Sequence, residues 1–230
     1  MNETARIKER YIRRAGSVKR STYTYFNIGN LFTIQTRQRQ LIARLKRYGC
    51  EDLRNKTILE IGCGGGIWLR DFVQWGALPD RIYGVDLIED RIRIAQRLNP
   101  NIHYSIGNAE QLDFPDKTFD VVLLSTCLTS ILDAKMKGGI AKETLRVLRD
   151  DGIIIWYDFR YNNPKNPDVR GIKKDELVGL FGDCSYCFSF ATLAPPISRL
   201  LAPISWLACE IISKIRFLNT HYLVIIQKKH

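Results

Sequence analysis

Acidic residues are scarce at the start of this 230-residue chain: in the first fifty positions only Glu3 and Glu9 oppose twelve lysines and arginines. That segment has a net charge of +10 against +11 for the whole chain, so the remainder is nearly neutral. Metal-binding side chains are also sparse. Cys184 and Cys187 have the spacing of half a zinc site, but no second pair stands at ligand spacing, so no metal is expected and both read as small apolar residues in or beside a strand. No secretory signal is recognised, and the six cysteines fit a reducing, cytoplasmic compartment with no disulfide framework. The most apolar run, Phe190 to Cys209, has Arg199 as its one charge, but Pro195, Pro196 and Pro203 divide it. A bilayer span needs about 20 mainly apolar residues in one helix, which these prolines exclude. There is no internal repeat.

What is present is an alternation of strand-like and helix-like segments. Strands are predicted at Thr57 to Ile61, Arg81 to Asp86, His103 to Gly107, Phe119 to Ser125 and Ile153 to Asp158, with helical patterns between them. This order argues for an α/β fold, a doubly wound and mostly parallel sheet whose ligands sit at the carboxyl ends of its strands. The first strand runs into Gly62-Cys-Gly-Gly-Gly66, followed by apolar residues at helical spacing from Ile67 to Trp75. Glycines let a backbone approach a ligand closely, and a helix N-terminus presents free N–H groups to it. Asp86 ends the next strand about 20 residues further on, where such folds place an acid for ribose hydroxyls.

These segments resemble the class I S-adenosylmethionine-dependent methyltransferases, over roughly Lys56 to Asp158. Glu60-Ile-Gly-Cys-Gly-Gly-Gly66 is similar to the family's first motif, Gly107 to Val122 to its adenine-contacting loop and fourth strand, and Leu145 to Gly152 to the helix and turn before its fifth. The resemblance implies S-adenosyl-L-methionine as cofactor. It assigns Glu60, Gly62, Cys63, Gly64 and Gly66 to the methionine portion, Asp86 to the ribose and Asn108 to the adenine, and counts Leu87, Ala109, Glu110 and Ser125 among the cofactor-binding residues. Asn108 stands where many members carry Asp; its side-chain carbonyl can still accept a hydrogen bond. The resemblance also implies a seven-stranded sheet, with Thr220 to Gln227 as an antiparallel last strand.

Residues 1–50 form a basic helical extension, and residues 51–230 the methyltransferase domain. Leu31, Ile34, Leu41, Ile42 and Leu45 mark an amphipathic helix through Tyr48. The extension reads as a solvated lid, with a nucleic-acid arm using Tyr11, Tyr23, Tyr25 and Phe26 as the alternative. The pattern from Ser205 to Phe217, with Leu207, Ala208, Ile211, Ile212 and Ile215 on one face, reads as core packing. A wall of the acceptor pocket or a surface for a lipid-linked acceptor are the sharper alternatives. The loop from Asn162 to Pro167 follows the fifth strand at the ligand edge.

Methyl transfer to a hydroxyl needs a base near the acceptor. Asp158, Arg160 and Tyr161 end the fifth strand, and His221 begins the last one at the same edge, so these four are the catalytic candidates. His103 begins a parallel strand and belongs at the opposite edge. Cys127 lacks the preceding proline of a C5-cytosine methylating nucleophile and reads as a packing residue. Ser125-Thr-Cys-Leu128 lacks the Asp/Asn-Pro-Pro-aromatic pattern of adenine amino-methylating enzymes. O-methylation of a small molecule or glycan is the leading reading; an RNA methyltransferase and a non-catalytic cofactor-binding module are the alternatives.

Overall fold

The structure, a computed structural model, describes residues 2–17, 23–163 and 166–229. Residues 18–22 of the basic extension, and Pro164 and Lys165 of the expected Asn162–Pro167 loop, lie outside the described residues. Two helices, α1 (Glu3–Ser17) and α2 (Ile28–Arg47), precede the sheet. There follow β1 (Ile58–Ile61), α3 (Ile67–Gln74), β2 (Ile82–Asp86), α4 (Glu89–Leu98), β3 (His103–Ile106), β4 (Phe119–Ser125), α5 (Ala134–Val147), β5 (Leu148–Phe159), α6 (Lys174–Phe181), β6 (Cys184–Leu193), α7 (Pro195–Leu201), α8 (Trp206–Ser213) and β7 (Asn219–Lys228).

The seven strands are ordered β3-β2-β1-β4-β5-β7-β6, and β7 pairs antiparallel with both neighbours while the other pairs are parallel. Every residue of β1 and β4 is buried, as central parallel strands covered on both faces require. Edge strand β3 is largely exposed. Strand order reverses between β1 and β4, and that switch point opens a crevice at their carboxyl ends.

Two apolar layers flank the sheet. On one side Leu41 and Leu45 of α2 join Trp68, Leu69 and Phe72 of α3 and Ile92 of α4. Across the sheet, Ile7 of α1 joins Met136 and Ile140 of α5 and Leu177 and Phe181 of α6. The extension is therefore packed onto the domain. Helix α2 starts at Asn27, whose side chain accepts from the Asn30 N–H at 3.1 Å, a cap that satisfies one orphan donor. Gln38 then donates to Asp71 Oδ1 at 2.9 Å and ties α2 to α3.

The connection from β6 to β7 holds α7 and α8 at the carboxyl edge of the sheet. Phe32 of α2 meets Trp206 edge-on, ring centres 5.1 Å apart, within a small cluster that includes Leu193, Ala202 and Cys209. The core-packing expectation for Ser205 to Phe217 is corrected here. Among the described residues, only the Trp206, Cys209 and Ile212 side of α8 packs on its neighbours, and Leu207 and Ile211 are exposed. Glu210 pairs with Arg39 of α2 rather than with Lys214. Tyr23, Tyr25 and Phe26 are exposed as well.

Helices α2 and α7 approach so closely that a Cβ on Gly29 would lie 2.5 Å from Arg199 Cα and 2.8 Å from the Ser198 carbonyl oxygen. Gly29→Ala must push the two backbones apart, so it is expected to destabilise the fold by about 1–3 kcal/mol despite alanine's better helix propensity. A denaturation midpoint at or above that of the parent protein would contradict this packing.

Candidate active site at the glycine turn

The turn after β1 is shaped by what it must pass. Gly62 has φ 72° and Gly66 φ 70°, in the left-handed region where a Cβ is unfavourable. Space forbids one too: a Cβ on Gly62 would lie 2.9 Å from Cys127 Sγ, and one on Gly66 2.5 Å from the Tyr104 hydroxyl. Gly62 and Cys63 both donate their N–H to the Val85 carbonyl, at 2.8 and 3.1 Å. Asp86 completes the lock. Its Oδ2 accepts from the Gly64 N–H and its Oδ1 from the Ile88 N–H, each at 2.8 Å. One carboxylate thus joins the glycine turn, the end of β2 and the start of α4. Each of its oxygens retains a second lone pair that a ribose hydroxyl could use.

Polar atoms around the turn lack hydrogen-bond partners among the described residues. Glu60, buried at the centre of β1, leaves Oε2 unpartnered, and Tyr104 of β3 leaves its hydroxyl so. Burial, reinforced by the negative charge of Asp86, pushes the Glu60 carboxyl well above the usual carboxylate range; Arg37 works against that rise. Burial also pushes Tyr104 up to about 12. Gly66 caps α3 without a side-chain bond, leaving the first-turn N–H groups of that helix open to an anionic or polar ligand. These features fit S-adenosylmethionine: an acidic acceptor suits its ammonium, the α3 N-terminus its carboxylate and Asp86 its ribose. Cys63 and Cys127 are held as inert thiols, their pKa values raised by burial.

The remaining cofactor candidates surround this turn. Leu87 follows Asp86 and packs against the core with Ala109. Asn108 Oδ1 accepts from the Glu110 N–H and its Nδ2 donates to Glu110 Oε2, both at 3.1 Å, so the loop is internally braced. Ser125, buried, pairs with Tyr157 across the β4–β5 ladder. A shallow groove of about 500 Å³ lined by Gln111, Phe114, Glu143 and Arg146 runs beside this loop without reaching the turn. Above Gly64 the cover comes from α4, backed by α1. The Arg91 guanidinium lies 3.1 Å from where a Gly64 Cβ would stand, and it rests on the Tyr11 ring at 4.6 Å. Arg6 of the same helix donates to the Ser130 carbonyl at 2.7 Å, fastening α1 over the end of β4.

The four catalytic candidates do not converge. Strand pairing sets Phe159 opposite His221 and Asp158 opposite Tyr222, so His221 and Asp158 belong to opposite faces of the sheet. Asp158 is fully buried. Its Oδ2 accepts from the Thr129 N–H at 3.1 Å, and its Oδ1 from the Thr129 hydroxyl and, at 2.9 Å, from the Phe159 N–H. Burial raises it to about 6, against the pull of those bonds. His221 stacks on Tyr157, ring centres 4.7 Å apart and 9° from parallel, and burial with the nearby Arg37 charge lowers it to about 3. It is a neutral imidazole at ordinary pH and a weak base. Arg160 lies 4.4 Å from the Tyr161 ring, 4.6 Å from Phe190 and 5.1 Å from Tyr222, and donates to the Arg216 carbonyl at 3.0 Å.

Arg37 was not among the expected residues. It reaches from α2 over Trp68, 3.9 Å from ring centre, with the Asp71 carboxylate at 4.0 Å, and its Nε has no hydrogen-bond partner among the described residues. It stands four and eight residues before Leu41 and Leu45, so a cation on the apolar stripe of the helix was the available signal. Tyr104 and Thr129 carry no comparable signal, because their partners come from distant segments.

The Thr129–Asp158 pair gives a pH-dependent expectation. The folded-state pKa of Asp158, about 6, lies above its ordinary 3.8, so its relative contribution to stability is fully present below 3.8 and lost as pH rises through 6. Thr129→Val removes a donor to the ionised carboxylate and raises that pKa further. The variant is expected to lose ~1–3 kcal/mol near pH 8 and clearly less near pH 5. Equal losses at the two pH values in chemical denaturation would contradict the assignment.

Comparison with known proteins agrees with this geometry. A protein-family model described as a methyltransferase domain matches residues 58–152, the span from β1 to the start of β5. Over 116 residues the chain is 31% identical to demethylmenaquinone methyltransferase of Lactococcus lactis, covering 48% of this chain and 44% of that protein. Over 128 residues it is 28% identical to norajmaline N-methyltransferase of Rauvolfia serpentina, covering 53% and 41%. The chain thus spans under half the length of these two relatives. The fold matches that of a SAM-dependent methyltransferase from Archaeoglobus fulgidus with a TM-score of 0.59 at 19% identity, over 86% of this chain and 98% of that one. Motif, fold and sequence agree that residues 58–152 match a methyltransferase domain, set in a fold shared with S-adenosylmethionine-dependent methyltransferases.

Proposed function

We propose that this protein transfers a methyl group from S-adenosylmethionine to a small-molecule acceptor. The observation that carries the reading is the Asp86-locked glycine turn beside the unpartnered Glu60 Oε2, a cradle matched to the charged and hydroxylated parts of the donor. S-adenosylmethionine supplies a methyl group on a sulfonium, which an acceptor lone pair displaces in line. Everything else falls to the chain. Glu60 and the α3 N-terminus hold the amino-acid end, Asp86 the ribose, and Leu87 with the Asn108–Glu110 loop the adenine. Tyr11 and Arg91 close over Gly64 and exclude water, so that proximity and orientation supply much of the rate.

On the acceptor side, the reading gives the neutral His221 and Arg37 the task of positioning, at the end of β5 and the start of β7. Asp158 is spent on Thr129, and its role in this reading is to hold the turn after β4. The named relatives act on a quinone precursor and on an alkaloid by their names, which supports a small organic acceptor over a polymer. If the acceptor atom is oxygen, a glycan hydroxyl among the candidates, its proton must leave to a group other than Asp158, which is bonded to Thr129, or His221, which is a weak base.

Asp86→Ala is expected to weaken S-adenosylmethionine binding about tenfold or more, since each charge-assisted hydrogen bond lost is worth ~1.5–3 kcal/mol. Undiminished affinity in calorimetry would remove Asp86 from the ribose role. A screen with methyl-labelled cofactor against quinols, phenols, sugars and RNA tests the acceptor; label entering RNA alone would overturn the small-molecule reading.

A further inference from the structure

The connection between β6 and β7 leaves an apolar surface that the active site does not use. Leu200 at the end of α7 is 75% exposed, Ile204 in the following turn 78%, Leu207 of α8 70% and Phe217 beyond it 71%. Ile211 stands one helical turn after Leu207 on the same outward side. Phe26, 95% exposed, lies at the mouth of α2, whose Gly29 abuts Arg199 of α7. Scattered single apolar residues are normal on a surface, but a clustered set like this marks an interaction site.

Its charge identifies the partner. Between Phe190 and Phe217 the cations are Arg199, Lys214 and Arg216, all exposed and none in an ion pair with a described residue. The single acid, Glu210, is neutralised by Arg39. The segment thus exposes apolar side chains and cations together, on a chain of net charge +11. The apolar side chains top two short helices and the turns that follow them, a form suited to shallow insertion among lipid headgroups. No described helix is long and apolar enough to cross a membrane.

We propose that α7, the turn after it, α8 and Phe26 form a peripheral docking surface for an anionic lipid bilayer. Leu200, Ile204, Leu207, Ile211 and Phe217 enter the interface while Arg199, Lys214 and Arg216 meet the headgroup phosphates. The surface leads out of β6 and into β7 at the carboxyl edge of the sheet, the edge that carries the glycine turn. Docking therefore brings the site's mouth toward the membrane, where an acceptor dissolved in lipid would be within reach. Binding itself does not depend on the methyl-transfer reading, because it needs neither cofactor nor acceptor.

The test is sedimentation of the full chain with vesicles of phosphatidylglycerol and phosphatidylcholine, compared with phosphatidylcholine alone. The parent protein is expected to partition onto the anionic vesicles and to be released by salt. The double variant Leu207→Ser, Ile211→Ser should bind at least about tenfold more weakly, since both side chains lose their apolar burial. Arg199→Ala and Lys214→Ala should each cost about fivefold on anionic vesicles, the equivalent of ~1 kcal/mol per charge, and almost nothing on neutral ones. Unchanged circular dichroism and S-adenosylmethionine affinity would establish that the variants are folded. Failure of the parent protein to bind anionic vesicles, or equal binding by the serine variant, overturns the proposal. So does a stable dimer in sedimentation velocity that the serine variant disperses, because a second copy would then be the occupant.

Discussion

The Asp86 carboxylate is the constraint on which the site rests. Its two bonds, to the Gly64 and Ile88 N–H groups, fix the glycine turn relative to β2 and α4. A carboxylate bonded to backbone donors gains charge-assisted bonds that stay in place when side chains rearrange. The positive φ of Gly62 and Gly66 follows from the same arrangement, since the turn must fold back toward Asp86 while passing Cys127 and Tyr104. The charge of Asp86 in turn contributes to keeping Glu60 protonated more readily than an ordinary carboxyl. One side chain thus shapes the backbone and sets the electrostatics of its neighbour.

The donor half of the site was legible in the sequence because its parts are local. A buried strand, glycines at fixed offsets and an acid at the end of the next strand each leave a mark within a short window. The alternation of elements carried the sheet in the same way, and β7 fell within a residue of its expected bounds at each end. Other residues were illegible because their meaning depends on partners far along the chain. Asp158 reads as a free acid at a strand end until Thr129 wraps its oxygens. Arg37 reads as surface charge until α2 is laid over Trp68. The α8 stripe looked like core because periodicity reports amphipathicity and cannot say whether anything lies opposite the apolar face.

The sheet also divides the labour between its ends. From β3 to β4 the elements build the donor cradle, and this part coincides with most of the matched family segment. From β5 to β6, with α2 laid alongside, lie the elements to which the proposed function assigns the acceptor. A fold shared with other proteins constrains the first half strongly and the second weakly, since function lives in sites grafted onto the fold. The basic extension reaches both halves, Arg37 of α2 lying over Trp68 and Tyr157 and Tyr11 of α1 over Arg91 at the glycine turn.

The place of β7 has a consequence for how the molecule is made. Strand β6 touches the sheet only through β7, which inserts between β5 and β6 although it comes later in the chain than either. During synthesis, residues 184–218 leave the ribosome before the strand that seats them, so β6, α7 and α8 must wait unpaired. Completing the sheet is a non-local step, of the kind that slows folding and leaves apolar surface open in the interval. The nascent chain therefore passes through a stage in which the outer edge of β5 and the whole of β6 both lack the partner that β7 supplies.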